Sequence, residues 1–169
     1  MSFVKVTPKD IAANPFELIG DEWMLITAGD RENLNMMTAS WGGLGVLWGK
    51  NVSFCFIRPT RCTYGLMESG EYYTLSFYDE KYRDKLTLCG TKSGRDIDKI
   101  AESGLTPVFA DCGAPYFEQA KRVLVCRKLY ADDIKPESFI DRTMDKWYDN
   151  DYHKVYIGEI IEVLEAEDR

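Results

Sequence analysis

The chain has 169 residues and a mass of 19.4 kDa, so we expect residues 1–169 to form one domain. Its 21 basic and 28 acidic residues give a net charge of −7, and an acidic surface disfavours nucleic acid as a partner. Hydrophobic residues make up 45% of the chain, which excludes intrinsic disorder.

Targeting and cross-linking signals are weak. The start of the chain has no apolar signal core, and the longest uncharged run, residues 33–49, is too rich in glycine and polar residues for a membrane helix. We therefore expect a cytoplasmic protein that does not bind a membrane. The five cysteines lack CxxC spacing and there is one histidine, so neither a disulfide framework nor a metal site is expected.

Strand signals dominate the chain from Trp23 onwards. Apolar or alternating segments predict strands at 23–29, 51–58, 71–78, 122–130 and 152–164. Gly158 lies inside the last strand and indicates a bulge or a close backbone approach.

Helix signals are few and short. They predict helices at 60–69 with Thr60 as the N-cap, at 80–89, and from a capping box at 93–96 to a stop at Gly104. Many short strands with few helices favour a closed or partly closed antiparallel barrel.

No GxGxxG or GxxxxGK[ST] motif occurs, so a Rossmann site and a P-loop are both excluded.

The segment 35–43, with the sequence Asn-Met-Met-Thr-Ala-Ser-Trp-Gly-Gly, is the first candidate for a binding site. Buried strands rarely carry so many hydroxyl and amide groups unless something accepts their hydrogen bonds. A polar heteroaromatic ligand would do so, and Gly42 and Gly43 would let the backbone approach it. A bulged strand whose polar groups are satisfied internally explains the same residues.

A second candidate lies at Arg58-Pro-Thr-Arg-Cys-Thr63, where a predicted strand meets a predicted helix. Free backbone N–H groups at a helix start, together with Arg58 and Arg61, suit a phosphate. An ordinary helix cap with solvated arginines fits equally well. Cys62 is the one candidate for a reactive thiol, because a helix start stabilises a thiolate.

Two weaker candidates follow. The loop Cys89-Gly-Thr-Lys-Ser-Gly-Arg-Asp96, with Asp98 and Lys99 behind it, presents Lys92 and Ser93 to the same phosphate. Lysines in such loops are usually just solvated. His153 stands at the start of the last strand, where its pKa range suits a ligand contact or a proton donor, although structural histidines are commoner there.

Taken in order, these segments resemble the flavin reductase-like family with the FMN-binding split barrel, which includes flavoredoxin-type proteins. The matching motifs are N-x-x-T-x-S-W-G at 35–42, R-P-x-R-x-T at 58–63, C-G-x-x-S-G-R-D at 89–96 and H-x-x-Y-x-G-E at 153–159. The resemblance implies a mainly β fold, a six-stranded antiparallel Greek-key split barrel with short flanking helices. It also implies a homodimer with FMN near the subunit interface.

The same resemblance implies a set of cofactor-binding residues. Those expected along the isoalloxazine and ribityl chain are Asn35, Thr38, Ala39, Ser40 and Trp41. The expected phosphate and polar-tail group is Arg58, Arg61, Thr63, Lys92 and Ser93. His153 is expected to approach the flavin from the last strand, as a candidate for the catalytic group, while the flavin carries the chemistry.

Three functions remain open from the sequence. The leading hypothesis is an FMN-dependent oxidoreductase, a flavin reductase that takes hydride from NAD(P)H. The alternative is a flavoredoxin-like electron-transfer protein that docks a redox partner protein and has no small-molecule turnover. The third is a barrel without enzymatic activity that binds another ligand or partner.

Overall fold

The computed structural model describes residues 2–167, and this part of the chain is mainly β-structure. Its strands are β1 (Phe3–Val6), β2 (Met24–Gly29), β3 (Leu34–Ala39), β4 (Gly42–Leu47), β5 (Lys50–Ile57), β6 (Tyr72–Phe77), β7 (Pro107–Phe109), β8 (Pro115–Phe117), β9 (Arg122–Asp133) and β10 (Lys154–Ala166). Its helices are α1 (Pro15–Gly20), α2 (Thr63–Ser69), α3 (Arg83–Thr91) and α4 (Lys99–Ser103), with 3-10 turns at Pro8–Asp10, Glu80–Tyr82, Pro136–Ser138 and Arg142–Trp147. Within residues 2–167, no helix is long and apolar enough to span a bilayer.

The main sheet runs in the order β3-β2-β6-β9-β10-β5-β4, and every neighbouring pair is antiparallel. Along one edge of β10, residues 154–159 pair with β5 and residues 163–166 pair with β1. Strands β7 and β8 form a separate hairpin. The mainly β, antiparallel class predicted from the sequence is confirmed.

The strand number is larger than the predicted six, because the main sheet contains eight strands. Segment 35–43 forms most of β3 and the start of β4 instead of one bulged strand, since pairing is interrupted at Ser40 and Trp41 and the chain passes from one edge strand of the sheet to the other. β1 adds the other strand, from an amino-terminal segment for which the sequence predicts no strand.

Apolar clusters cover both faces of the central strands. Side chains alternate along a strand, so Ile26 and Leu124 face one cluster while Leu25 and Val123 face the other, against helix α3. All four side chains are fully buried. Burial of such a side chain is worth about 1.5–3 kcal/mol, so apolar packing on both faces stabilises the central strands of the sheet.

The glycine inside β10 is required by close packing, as the sequence indicates. The β9–β10 register shifts between Ile157 and Gly158. A Cβ atom at Gly158 would lie 2.2 Å from the hydroxyl oxygen of Tyr73. That hydroxyl is fully buried and hydrogen-bonds Ser53 at 2.9 Å, so it has little freedom to move.

Two helix starts differ from the prediction. Helix α2 begins at Thr63 and has no side-chain cap, so Thr60 is not its N-cap. The capping box predicted at 93–96 is also wrong, because Ser93 Oγ accepts a hydrogen bond from the Arg95 N–H in a local turn. Asp98 caps α4 instead, accepting from two backbone N–H groups, and the left-handed Gly104 ends that helix as predicted.

Candidate cofactor site

A cleft of about 190 Å³ lies where β3 and β5 end and β10 begins. The predicted site residues that line it are Thr38, Ala39, Ser40, Trp41, Arg58, Arg61 and His153. Met37 and Phe56 complete its walls. Residues far apart in sequence therefore meet here, because β10 lies beside β5 and the two-residue β3–β4 connection joins the two edge strands of the sheet at this cleft.

The connection from β3 to β4 places polar backbone at the cleft. Ala39 is the last residue of β3 paired with β2, and Ser40 and Trp41 follow outside the ladder. Gly42 is needed for packing, since a Cβ there would lie 2.8 Å from the Phe54 carbonyl oxygen. Thr38 donates its hydroxyl to the Leu86 carbonyl at 2.5 Å, which anchors the end of β3 to helix α3.

His153 is almost fully buried at the cleft wall. Burial, together with the nearby Arg58, lowers its pKa from 6.5 to about 4, so the imidazole is neutral near pH 7. Its Nδ1 hydrogen-bonds the Tyr148 hydroxyl at 3.0 Å, and its ring centre lies 5.2 Å from that of Trp41. It therefore offers an uncharged polar ring to the cleft.

Arg58 is already paired. Its Nη1 donates to the Asp151 carboxylate at 2.6 Å, and its Nη2 donates to the Trp147 carbonyl at 2.8 Å. The guanidinium also lies 5.1 Å from the ring centre of Tyr148. These partners come from the connection between β9 and β10, in which sequence reasoning identifies His153 as a site residue but neither Trp147 nor Asp151.

Arg61 is the unpaired cation of the cleft. Among residues 2–167 it has no acidic partner, and its one hydrogen bond is a long contact of 3.5 Å to the Cys89 carbonyl. Burial and the neighbouring Arg58 lower the pKa of its guanidinium. A half-buried guanidinium in this situation provides a site for an anion.

Asn35 and Thr63 lie away from this cleft and contact each other. The Asn35 amide donates to the Thr63 hydroxyl at 3.0 Å, and both residues are buried. Asn35 also lines a separate, polar cavity of about 380 Å³, formed with residues 94–100. Of the residues expected in the phosphate and polar-tail group, Arg58 and Arg61 line the cleft, and Thr63 does not.

Lys92 and Ser93 are also outside the residues that line the cleft. Lys92 is exposed at the end of α3, and Ser93 is half-buried in the turn that follows. The assignment of these two residues to a phosphate stays a prediction.

Lys99 is a buried cation that the sequence analysis does not place in the site. Its ammonium donates to the Met36 carbonyl at 3.0 Å and to the Cys89 carbonyl at 2.8 Å, and the residue is 4% exposed. It thereby ties α4 to β3 and to the end of α3, directly behind the cleft. The sequence feature that could have located Lys99 is its place directly after Asp98, the residue that caps helix α4.

The cysteine thiols show no sign of a redox pair in residues 2–167, where all five are free. Burial raises the pKa values of Cys55, Cys89 and Cys126. Cys62 is half-buried at the start of α2.

The chemistry of the cleft suits a flat, anionic cofactor. Trp41, Phe56 and His153 form an aromatic wall, with ring centres of His153 and Phe56 6.4 Å apart. Arg61 supplies a positive charge beside that wall. Aromatic walls with a few polar groups and a cation match the requirements of a flavin mononucleotide.

Comparison with known proteins agrees with this interpretation of the site. The model of the flavin reductase like domain family matches residues 18–169, so the chain belongs to this family. The family resemblance expected from the sequence motifs is thereby confirmed. Among curated proteins, none matches the chain.

Several solved structures share the fold. A flavoredoxin of Desulfovibrio vulgaris (Miyazaki F) has a TM-score of 0.69 at 23% identity, over 97% of this chain and 78% of that one. An FMN-binding domain of a flavin reductases-like enzyme from Shewanella baltica OS155 has a TM-score of 0.71 at 15% identity, over 97% and 77%. An FMN-binding protein from Thermus thermophilus has a TM-score of 0.68 at 20% identity, over 96% and 78%. The expected split-barrel fold is confirmed by these similarities.

Proposed function

We propose that this chain binds FMN in the cleft at the end of β3 and β5 and acts as an FMN-dependent oxidoreductase with NAD(P)H as hydride donor. The observation that carries the proposal is the unpaired, half-buried Arg61 beside the aromatic wall of Trp41 and Phe56. Similar structures that are described as FMN-binding proteins support the choice of cofactor.

Each wall of the cleft has a separate task in this proposal. Trp41 and Phe56 shield one side of the ring system from water, and the backbone of 39–41 supplies N–H and C=O groups to its polar edge. Arg61 binds the phosphate. Neutral His153 exchanges a hydrogen bond with the cofactor without adding charge. When bound, FMN supplies the hydride and electron transfer chemistry.

In this proposal Asn35, Thr63 and Lys99 do not contact the cofactor and instead support the strand that forms the cleft wall. Their mutual and backbone hydrogen bonds fix β3 against α2, α3 and α4. A wall held in this way keeps residues 38–41 in one conformation, which lowers the entropy cost of binding.

A second candidate function is electron transfer to a protein partner. Trp41 and Trp147 are 41% and 52% exposed at the cleft mouth, where their rings meet edge to face. Exposed aromatic rings of this kind are enriched at protein interfaces. The similarity to a flavoredoxin fits this function as well.

We further propose a homodimer. Phe16, Val46 and Trp48 are 85%, 73% and 59% exposed on α1, β4 and the tip of the β4–β5 hairpin. Trp48 holds a positive φ of 52° at that tip, where glycine or asparagine is ordinarily favoured. Tyr116 is not part of this exposed set, because its ring packs against Phe3 with ring centres 5.5 Å apart.

The experiment that tests the proposed function begins with the visible spectrum of the purified protein and a titration with FMN. Stoichiometric binding at micromolar concentration is expected, and failure to bind would refute the proposal. Rapid NADH or NADPH oxidation by the loaded protein would support the reductase. Slow oxidation with fast reoxidation by a partner protein would favour electron transfer. Light scattering gives the oligomeric state.

A further inference from the structure

Residues 141–152 of the β9–β10 connection form a segment that we call the aromatic flap. It contains the 3-10 turn Arg142–Trp147 and no strand or α-helix. At its centre, the Trp147 ring meets the Trp41 ring edge-on, with ring centres 5.6 Å apart. Because Trp41 lines the cleft, the flap lies at the cleft mouth.

The flap has its own internal contacts. The rings of Tyr148 and Tyr152 stack with centres 4.6 Å apart, and the Tyr152 hydroxyl donates to Asp145 at 3.2 Å. Asp141 accepts from the Thr143 N–H at 2.9 Å and closes the first turn. These contacts join residues 141–152 to one another independently of the sheet.

Three residues that line the cleft contact the flap, and they are Trp41, Arg58 and His153. Trp41 meets Trp147, and His153 Nδ1 hydrogen-bonds the Tyr148 hydroxyl at 3.0 Å. Arg58, directly after β5, forms an ion pair with Asp151 at 2.6 Å and donates to the Trp147 carbonyl at 2.8 Å. Both partners belong to the flap. The side chains of Arg58 and Asp151 are 27% and 22% exposed, so the pair is stronger than a fully solvated one.

We propose that Arg58 acts as a latch, and that its ion pair with Asp151 holds the aromatic flap across the cleft mouth and so controls the entry and exit of FMN. This inference rests on the proposed function for its ligand. A guanidinium already paired with a carboxylate is a poor ligand for a second anion. Arg61, just before α2, has no such partner in the described part of the chain, residues 2–167, and can take that task. Trp147 is 52% exposed, so opening the flap costs little apolar burial at that residue, and the ion pair is the charged contact that opening has to break.

The test measures flap opening first without a ligand. In Asp151→Asn the charge of the pair is lost, and amide hydrogen exchange in residues 141–152 should speed up by roughly tenfold, the change expected for one charge-assisted hydrogen bond. The control is Asp132→Asn, which removes a carboxylate paired with Lys135 at 3.0 Å outside the flap. Unchanged exchange in the flap of Asp151→Asn would overturn the latch, whether or not FMN binds.

Stopped-flow fluorescence then follows the binding of FMN and riboflavin. The latch predicts that Asp151→Asn raises association and dissociation rates together for both flavins, by roughly tenfold, with a nearly constant Kd. The Asp132→Asn control should match the wild type. Slower FMN release with riboflavin unchanged would show that the freed Arg58 binds the phosphate, and would overturn the latch. A wild-type protein that binds neither flavin would refute the proposed function instead.

Discussion

The Asn35 side-chain amide donates a hydrogen bond of 3.0 Å to the Thr63 hydroxyl, joining β3 to the first turn of α2. Both residues are buried, at 8% and 0% exposure. The family resemblance assigns each of them to a cofactor. The structure shows that they satisfy each other, and that their bond supports the wall of the cleft from behind.

Replacement of Thr63 by valine tests this supporting role. The substitution preserves shape but leaves the Asn35 amide without its acceptor, so the free energy of unfolding should fall by about 1–3 kcal/mol. Urea unfolding measures the change. Thr91→Val at the exposed end of α3 is the matched control and should change stability much less. A selective loss of FMN over riboflavin in Thr63→Val would instead place its hydroxyl at the phosphate.

Arg61→Ala should weaken FMN binding by roughly 10–100-fold, because it removes the free cation of the cleft and charge-assisted contacts are worth about 1.5–3 kcal/mol. Riboflavin lacks the phosphate and should lose little affinity. Fluorescence titration of both ligands measures the difference. Equal losses would contradict the assignment.

Lys92→Ala, measured in the same way, tests the loop that follows α3. The sequence-based hypothesis expects a loss like that of Arg61→Ala, although Lys92 is exposed and does not line the cleft. A selective loss for FMN would show that the loop reaches the phosphate. No change would restrict the anion site to Arg61 and its neighbours.

His153 should make stability depend on pH. Its pKa is about 4 in the folded protein and about 6.5 in the unfolded chain, so only the unfolded chain takes up the proton between these values. The contribution to stability is therefore complete above pH 6.5 and decreases as pH falls towards 4, by roughly 1–3 kcal/mol. His153→Asn should flatten the dependence, measured by urea unfolding between pH 7 and pH 4.5. Parallel curves for the two proteins would contradict the shifted pKa.

The predictive power of the sequence differs between elements. Strands such as β5 and β6 are predicted to within one or two residues, because their alternation of side chains reflects two faces in different surroundings. The cleft residues 38–41 are found through an unusual concentration of polar groups beside a tryptophan. Asn35 stands in the same polar segment but does not line the cleft. Local spacing cannot show this difference, because its hydrogen-bond partner Thr63 lies 28 residues away.

The Arg58–Asp151 pair is beyond sequence reasoning for a similar reason. The two residues are 93 positions apart and meet only because β10 pairs with β5. Acidic residues are frequent around position 151, so composition alone does not distinguish the carboxylate that pairs. The prediction for Ser93 fails in the opposite way. The local pattern at 93–96 matches a capping box, but the helix begins later, where Asp98 accepts hydrogen bonds from two backbone N–H groups.

Two glycines of this chain should respond in opposite directions to the same substitution. Gly158→Ala inserts a Cβ atom 2.2 Å from the buried hydroxyl of Tyr73, and overpacking of this kind costs about 1–3 kcal/mol. Gly65 lies inside helix α2, and a methyl group added there would have no neighbouring atom within 4 Å, so Gly65→Ala should stabilise by roughly 0.5–1 kcal/mol.

Urea unfolding of both glycine variants distinguishes packing from general effects of the substitution. The midpoint should fall for Gly158→Ala and rise for Gly65→Ala, with the slope unchanged in each case. Because the nearest atom to the new methyl group is the Tyr73 hydroxyl oxygen, Tyr73→Phe in the Gly158→Ala background should recover part of the loss. A Gly158→Ala protein as stable as the wild type would show that β10 shifts freely at its bulge, and that the contact with Tyr73 does not fix the strand.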